Sequence, residues 1–301
     1  MKLLTYEYQG MEHLGILDQS ETRIIPLVEL GIKYASMNDL IIEATKNGEI
    51  KKMNAIAKEQ RGELELSAVG RLAPIPQPLQ DIICVGFNYI DHVREIDSHT
   101  GISSGTAPGE LPEWPTYFSK RVNGAVGYDG DITSHDHLDE CIDYEAELGV
   151  IIGRTAKNVS PENVWEHIFG FTIINDVSSR TIQARHKQFY LGKSLDGSCI
   201  MGPWIVTKDE FEKPLKIDLK CYVNGELRQH SNTNNMIFGI ERIISELSQG
   251  MTLRAGTVIS TGTCAGTGAG LTPPQYLKAG DLVEIVIEGI GSMRNKVVVK
   301  A

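Results

Sequence analysis

Three acidic residues have the types and the spacing needed to bind a metal ion. Glu145 and Glu147 lie two positions apart in a stretch that alternates polar and apolar residues and runs into Val150. This pattern is typical of a β-strand, in which alternate side chains share a face, so we expect both glutamates on one side. Asp176 follows a second apolar run, 170–174. If the two strands are neighbours, the three carboxylates form an all-oxygen ligand set, which suits Mg²⁺ or Mn²⁺ better than zinc.

A simpler alternative makes Asp143, Glu145 and Glu147 the solvent-facing side of an amphipathic strand. On a buried face, however, neighbouring carboxylates repel each other unless a cation lies between them. Burial of these side chains therefore separates the two interpretations.

His92 and Glu95 are candidates for acid–base chemistry. They lie three residues apart in a short predicted helix, so their side chains should be adjacent. A carboxylate beside an imidazole fixes its tautomer and raises its basicity, as the activation of a water molecule requires. An exposed histidine with an incidental neighbour is the alternative. The pair precedes the glycine- and serine-bearing stretch 97–114, which we predict to be a flexible loop that acts as a lid.

Two lysines, an arginine and a glutamine could bind an anionic substrate. Arg180 and Gln183 lie three apart, where a guanidinium suits a carboxylate and an amide can orient a water or a keto oxygen. A solvated basic helix face is the alternative. Lys193 lies in a turn-like stretch and Lys120 follows an apolar strand, and each alone is compatible with an ordinary surface charge.

A glycine-rich stretch, 262–270, contains Thr263 and Cys264. It is neither a P-loop, because no Gly-Lys-Ser/Thr follows, nor a dinucleotide fingerprint, because the expected acidic residue is missing. We interpret it as a wall along which backbone amides and the Thr263 hydroxyl approach an anionic ligand.

Composition narrows the class of protein. The chain has 301 residues and a net charge of −10, which argues against nucleic acid or an anionic membrane as a partner. The first residues are too polar for a signal peptide, and no apolar run is long enough for a membrane helix. Five scattered cysteines fit reduced thiols, so we expect a cytoplasmic protein.

Strand and helix patterns mix without regular alternation, which predicts an α+β fold. A proline-stiffened connector at 72–78 predicts a boundary between a small N-terminal α/β domain, 1–73, and a larger domain, 74–301, which contains all the candidate residues. Beyond the connector we predict strands at 116–118, 142–152, 169–175, 203–207, 217–223, 257–261 and 282–288, and helices at about 161–167, 178–190 and 236–249.

Taken together, residues from about 74 to 296 resemble the fumarylacetoacetate hydrolase (FAH) family. The matching pieces occur in family order and include Asn88-Tyr89, Phe118-Ser119-Lys120, Asp143-Tyr144-Glu145-Ala146-Glu147, Asn175-Asp176, Gly192-Lys193-Ser194, Gly262-Thr263 and Gly280-Asp281. Two departures, at Cys264 with Thr267 and in the longer lid, bear on the substrate and not on the metal ligands.

The resemblance implies a mixed β-sandwich roll, usually a homodimer, with Mg²⁺ or Mn²⁺ held by Glu145, Glu147 and Asp176. It implies a lid that bears the His92–Glu95 pair. It also implies a substrate site that is lined by Lys120, Arg180, Gln183, Lys193 and Thr263.

The function implied is hydrolytic C–C bond cleavage of a 2-oxo or 2,4-dioxo acid, such as an acylpyruvate, through a metal-stabilised enolate. His92 and Glu95 would activate the water, and Lys193 would help to stabilise the enolate. Oxaloacetate decarboxylation and isomerisation of 2-hydroxyhepta-2,4-diene-1,7-dioate are the enzymatic alternatives. A binding protein for a metabolite or a protein partner is the non-catalytic alternative.

Overall fold

A computed structural model describes residues 1–99 and 110–299. Within these ranges the strands are β1 (Lys2–Tyr8), β2 (Met11–Leu17), β3 (Arg23–Pro26), β4 (Leu64–Glu65), β5 (Gly70–Arg71), β6 (Ile82–Gly86), β7 (Thr116–Lys120), β8 (Asp131–Ser134), β9 (Ile142–Asp143), β10 (Ala146–Ile152), β11 (Ile168–Asp176), β12 (Ser178–Ser179), β13 (Cys199–Thr207), β14 (Asp218–Val223), β15 (Glu226–Asn232), β16 (Val258–Thr263), β17 (Leu282–Ile287) and β18 (Gly291–Val299). The helices are α1 (Met37–Asn47), α2 (Glu49–Glu59), α3 (Ile90–His99), α4 (Val164–His167), α5 (Arg180–His186), α6 (Tyr190–Lys193) and α7 (Ile240–Gly250).

The strands form two main sheets of mixed direction. The larger sheet has the order β4-β3-β2-β1-β13-β11-β10-β16-β6-β7, with β5 added beside β1. The smaller sheet has the order β15-β14-β17-β18-β8, and β9 pairs with β12 in a separate ribbon. The predicted α+β fold with a mixed β-sandwich roll is confirmed.

The core explains why these segments become strands. β10 and β11 are buried along their whole length, as their nearly continuous apolar sequences require in the middle of a sheet. Apolar side chains of both sheets, such as Val150 and Leu219, belong to one cluster. Helix α7 covers this core with Ile240, Ile243, Ile244 and Leu247, the spacing of one helical face.

The N-terminal strands extend the larger sheet. β1 pairs with β13, and Thr5 donates a hydrogen bond to the carbonyl of Pro74 in the connector. A second apolar cluster joins Leu40 of α1 to Ile151 and Ile174 of the central strands. The division into domains 1–73 and 74–301 stays a prediction.

Several predicted elements differ in detail. The strand expected over 142–152 is interrupted at Tyr144 and Glu145, so Glu145 precedes β10 instead of lying within a continuous strand. The helix expected over 178–190 ends at His186, because Lys187 adopts a left-handed backbone conformation with φ 55°. Residues 100–109 of the predicted lid lie outside the described residues.

The strands β8 and β15 lack the apolar runs on which sequence prediction depends, and β18 has such a run only in its last three residues. β15, for example, has the sequence Glu-Leu-Arg-Gln-His-Ser-Asn and pairs only with β14 at the edge of the smaller sheet. In the part of the chain that the structure covers, none of the helices combines the length and hydrophobicity needed to cross a membrane.

Candidate active site

Strand pairing brings the three predicted metal-binding carboxylates together. β10 and β11 are antiparallel with Glu147 opposite Ile174, so the start of β10 lies beside the end of β11. The carbonyl of Glu145 accepts a 2.9 Å hydrogen bond from the amide of Asp176. One oxygen from each of Glu145, Glu147 and Asp176 lies within 4.8 Å of the others, and all three residues are buried. Burial excludes the alternative of a solvent-facing strand surface.

Three buried cations surround this triad. The Lys193 ammonium lies 2.5 Å from Oε2 of Glu145 and 2.7 Å from Oδ2 of Asp176. Arg180 Nη1 lies 2.7 Å from Oε1 of Glu145, and Lys120 Nζ lies 2.8 Å from Oδ1 of Asp176. None of the three is the ordinary surface charge that the sequence alone allowed.

The two glutamates of the triad experience opposite electrostatics. Burial would raise the pKa of Glu145, but the Lys193 ammonium and the Arg180 guanidinium lower it to about 2. For Glu147, burial and then repulsion from Asp176 and Glu145 raise the pKa to about 8. Among the described residues Glu147 forms no ion pair, and its Oε2 accepts hydrogen bonds only from neutral donors.

Those donors are the Ser260 hydroxyl at 2.6 Å and the Gly262 amide at 2.8 Å. When fully ionised, the described buried groups around the triad do not balance, because four carboxylates face three cations, namely Asp143, Glu145, Glu147 and Asp176 against Lys120, Arg180 and Lys193. The raised pKa of Glu147 means that, without a metal, this acid keeps its proton at neutral pH and so avoids the surplus. A divalent cation would remove this surplus of negative charge, and carboxylate oxygens are the ligands that Mg²⁺ and Mn²⁺ prefer. The residues fit such an ion.

His92 and Glu95 form a pair on α3. His92 Nδ1 lies 3.2 Å from Oε2 of Glu95, and the histidine is buried. The Asn88 side chain fixes the start of the helix, because its amide nitrogen donates to the carbonyls of Phe238 and Thr261. This placement excludes an exposed histidine with an incidental neighbour.

The glycine-rich loop binds anions, but they are the protein's own carboxylates. The Gly266 amide donates to Glu95 at 2.8 Å, and the amides of Gly268 and Ala269 donate to Asp143 at 2.7 and 3.0 Å. A Cβ on Gly270 would lie 2.0 Å from the carboxyl carbon of Glu95, so glycine is needed for this close approach. The predicted wall is corrected for these three amides, which bind Glu95 and Asp143 and not an external ligand, whereas the approach of the Thr263 hydroxyl to a ligand stays a prediction.

Arg180 and Gln183 occupy the first turns of α5, with Arg180 Nη1 donating to Gln183 Oε1 at 3.1 Å. The Arg180 guanidinium also binds the Asp143 carboxylate through Nε at 2.9 Å. Asp139 accepts hydrogen bonds from the Ser179 hydroxyl at 2.6 Å and the Thr181 amide at 2.8 Å, and thereby holds the helix start.

Asp139 and Asp143 are site residues that the sequence analysis did not assign. Asp143 had a signal, because it shares the two-residue period of Glu145 and Glu147. Asp139 had none, because its partners lie about forty positions away in the chain.

Lys120 and Thr263 differ in their access to the site. Lys120 is fully buried, its ammonium also donates to the carbonyls of Val177 and Lys193, and it is not among the described residues that border the pocket. The structure therefore places the Lys120 ammonium against Asp176 and these two carbonyls, and its contact with substrate stays a prediction. Thr263 does border the pocket, and Gln229 donates to its hydroxyl at 2.8 Å.

One pocket is bordered by most of the other candidate residues, while Glu95 and Asp176 are not among the described residues of its lining. It contains about 360 Å³ of empty space, part of it open to solvent. Its lining comprises Val85, Gly86, Phe87, His92, Phe118, Glu145, Glu147, Arg180, Gln183, Phe189, Lys193 and Thr263.

Comparison with known proteins gives concordant matches. Residues 81–298 match the family model described as "Fumarylacetoacetate (FAA) hydrolase C-terminal". The chain is 37% identical to the oxaloacetate tautomerase YisK of Bacillus subtilis over 310 residues, covering 99% of this chain and 100% of the relative.

Two solved structures are similar over the whole chain. A fumarylacetoacetate hydrolase from Exiguobacterium antarcticum is 37% identical with a TM-score of 0.80, and each chain is covered completely. The maleylpyruvate hydrolase of Sphingobium sp. SYK-6, in complex with manganese(II) and pyruvate, is 26% identical with a TM-score of 0.78 and the same coverage. The family model, the full-length relative and the shared fold agree, and the chain belongs to the fumarylacetoacetate hydrolase family.

Proposed function

We propose that this protein is a divalent-metal-dependent enzyme that acts on a 2-oxo acid through the enol form of the substrate. The observation that supports this best is that His92, Glu145, Glu147 and Lys193 border one pocket. An acid–base residue, metal-binding carboxylates and a cation can thus reach the same small molecule. The full-length similarity to an oxaloacetate tautomerase makes the interconversion of enol and keto oxaloacetate the first reaction to test.

Glu145, Glu147 and Asp176 would hold Mg²⁺ or Mn²⁺. When bound, the ion would supply Lewis acidity to the 2-keto group. The ion would also add two positive charges. The net charge of the four ionised carboxylates and the three cations would then change from −1 to +1, which favours an anionic ligand. The relative with manganese(II) and pyruvate supports this choice of metal and of substrate class.

His92 would transfer the proton. Because Nδ1 faces Glu95, Nε2 is the nitrogen that would exchange a proton with C3 of the substrate. When C3 loses a proton, the electron pair of the C–H bond forms the C2–C3 double bond and the C2 oxygen becomes negative. Protonation of this oxygen from solvent completes the enol. In the opposite direction the C2 hydroxyl releases its proton to solvent, its oxygen re-forms the C2=O bond, and the electron pair of the C2–C3 double bond takes a proton from Nε2 at C3. Glu95 would stabilise the charged imidazole, and the Gly266 amide fixes Glu95.

The cations and amides of the pocket would bind the oxygens of the substrate. Lys193 would stabilise the C2 oxygen as it gains charge, and Arg180 would bind a carboxylate. Gln183 and Thr263 would orient the remaining polar groups. We assign Lys120 to holding Asp176 and the backbone of Lys193, because its ammonium contacts both.

Hydrolytic C–C cleavage of a 2,4-dioxo acid is the second candidate. The His92–Glu95 pair could take a proton from a water molecule, which would then attack the distal carbonyl. Two similar solved structures are named as hydrolases of this family, which favours the same reaction. Decarboxylation of oxaloacetate would use the same enol-forming groups without the water.

One experiment separates these reactions. Chelator-treated protein is reloaded with Mn²⁺ or Mg²⁺ and given oxaloacetate or an acylpyruvate, while enol absorbance, CO₂ and pyruvate are followed separately. We expect accelerated decay of the oxaloacetate enol, metal-dependent and lost in His92→Ala. Turnover no faster than the uncatalysed reaction with every substrate and both metals would instead favour a binding role.

A homodimer and a cytoplasmic location stay predictions from the resemblance and the composition. Light scattering during gel filtration tests the first. Expression of residues 74–301 alone tests whether the first 73 residues form a separate domain.

A further inference from the structure

The pocket has a second side that the proposed chemistry does not use. Besides its charged residues the pocket has an aromatic wall, which we define as Phe87, Phe118 and Phe189, completed by the backbone of Gly86. Phe118 lies in β7, Phe87 in the turn between β6 and α3, and Phe189 just before α6. Three separate segments of the chain therefore each contribute one ring.

The three rings support one another through edge-to-face contacts. Phe189 is the central ring, 5.3 Å from Phe118 at 80° and 6.0 Å from Phe87 at 69° between centroids and planes. Such geometry is the favourable one for aromatic pairs and limits the movement of each ring. A Cβ built on Gly86 would lie 3.5 Å from Phe189 and 3.6 Å from Phe118, so the rings already pack against this backbone.

The wall begins close to the metal-binding carboxylates. The Lys193 ammonium contacts Glu145 and Asp176 directly, and it lies 5.2 Å from the centroid of the Phe118 ring. We therefore expect that, when the 2-oxo acid end of a substrate lies at the carboxylates, its other end contacts an aromatic ring.

The backbone is strained to present one of these rings. Phe87 has φ 54°, a left-handed conformation that bulky residues rarely adopt, and its side chain is buried beside Val93 of α3. The same small apolar cluster includes Phe189. The wall thus also packs against the helix that carries His92 and Glu95.

We propose that the aromatic wall, with Phe189 as its central ring, limits the substrates of this site to 2-oxo acids with a compact distal group. Longer or branched tails would have to displace packed rings. This inference rests on the proposed function and adds a specificity-determining residue to it.

Binding of oxamates tests the limit without requiring turnover. Oxamate has the shape of a small 2-oxo acid, and N-butyloxamate carries a four-carbon tail on the same head. Dissociation constants of both are measured by calorimetry on the full chain loaded with Mn²⁺. The quantity compared is the ratio of the two constants, because general damage to a variant weakens both ligands and cancels in the ratio.

For the wild type we expect N-butyloxamate to bind at least about tenfold more weakly than oxamate, as a single misfitting methylene can cost in a close apolar pocket. Phe189→Ala should reduce this penalty at least about tenfold. Gly86→Ala should increase it, because the added methyl fills space against the rings without a clash. Gly86→Ala also keeps the test decisive if Phe189→Ala does not fold.

Tyr190→Ala is the matched control. Tyr190 is the adjacent aromatic residue, it is 45% exposed, and it does not border the pocket as described. The ratio of the two oxamate dissociation constants in Tyr190→Ala should equal that of the wild type.

Three results would overturn the idea. A wild type that binds both ligands equally, or a ratio unchanged in Phe189→Ala and Gly86→Ala, refutes the size limit while leaving the 2-oxo acid site intact. Wild-type protein that binds Mn²⁺ but neither oxamate contradicts the proposed function itself, and the size limit with it.

Discussion

Two buried acids in different regions of the larger sheet, Asp18 beside β2 and Glu147 in β10, show how differently this protein treats a carboxylate. Asp18 follows β2 in the N-terminal region, where it accepts hydrogen bonds from the Ser20 hydroxyl at 2.6 Å and the Gly62 amide at 3.0 Å. Burial would raise the pKa of Asp18, but these hydrogen bonds lower it below its usual value. Glu147 at the pocket has a pKa raised to about 8 by burial and by two neighbouring acids.

The difference separates a structural carboxylate from a functional one. The donors around Asp18 satisfy its charge, so the folded protein gains stability from the ionised group. Glu147 also has two hydrogen-bond donors, yet the repulsion from Asp176 and Glu145 remains. Such a buried acid, with two acidic neighbours and no ion pair among the described residues, could help to hold a cation, since folding alone gives no reason to retain it.

Replacement of Glu147 by glutamine should have the largest effect on activity. We expect Mn²⁺ to bind at least about 100-fold more weakly, above the range for loss of an outer-shell partner, and turnover to become undetectable. Stability of the metal-free protein should not fall, because the substitution removes repulsion. Calorimetric Mn²⁺ titration and urea unfolding in a chelator measure the two quantities. A large loss of metal-free stability with unchanged Mn²⁺ affinity would place Glu147 in the same class as Asp18.

His92→Ala sharpens the comparison by separating proton transfer from metal binding. Turnover of the oxaloacetate enol should fall by about 10²–10⁴-fold, the range for loss of a general acid–base group. Mn²⁺ affinity should stay as in the wild type, because His92 is not one of the three carboxylates. Steady-state kinetics with Mn²⁺ titrations check both. Full activity in the variant would remove His92 from the mechanism.

The sequence predicted the parts of the site that depend on local periodicity. Glu145 and Glu147 follow the two-residue period of a strand, and His92 and Glu95 the spacing of a helix. Pairing of β10 with β11 then had to be correct for Asp176 to join them. The family resemblance implied that Asp176 belongs with the two glutamates, which periodicity alone does not.

The parts that escaped prediction depend on contacts distant in sequence. The glycine-rich loop was expected to meet a ligand, but its amides hold Glu95 and Asp143 from more than 120 positions away. Lys120 alone was compatible with an ordinary surface charge, whereas packing buries it completely and pairs its ammonium with Asp176. The break at Tyr144 also has no local signal, since the alternation of residues continues through it.

Asp18→Asn should have the opposite signature to Glu147→Gln. Loss of the charged acceptor should lower the free energy of unfolding by about 1.5–3 kcal/mol at neutral pH, the usual range for hydrogen bonds to a charged group. Mn²⁺ binding and turnover should not change, because Asp18 lies in the N-terminal region. Urea unfolding at neutral pH measures the loss.

The difference in stability between the wild type and Asp18→Asn should depend on pH in a defined direction. Because the folded pKa of Asp18 is lowered, its contribution is complete above the unfolded pKa of about 3.9 and disappears as pH falls through the folded value. The stability difference between wild type and Asp18→Asn should therefore be constant above about pH 5 and shrink below about pH 4. A difference that grows in acid would contradict the assigned direction of the shift.

Glu43→Gln provides the exposed acid against which both buried ones are judged. Glu43 lies on α1 with its side chain 53% exposed, and its Oε1 is 2.9 Å from the Lys46 ammonium. An exposed pair three residues apart on a helix contributes only about 0.2–0.5 kcal/mol, because water screens the charges and both side chains lose freedom. Urea unfolding should show a change of this size that decreases in high salt, with activity intact. A loss in the free energy of unfolding as large as that of Asp18→Asn would contradict this expectation. It would mean that the hydrogen bonds to Asp18 stabilise the protein no more than an exposed ion pair does, so Asp18 could not serve as the structural counterpart of Glu147.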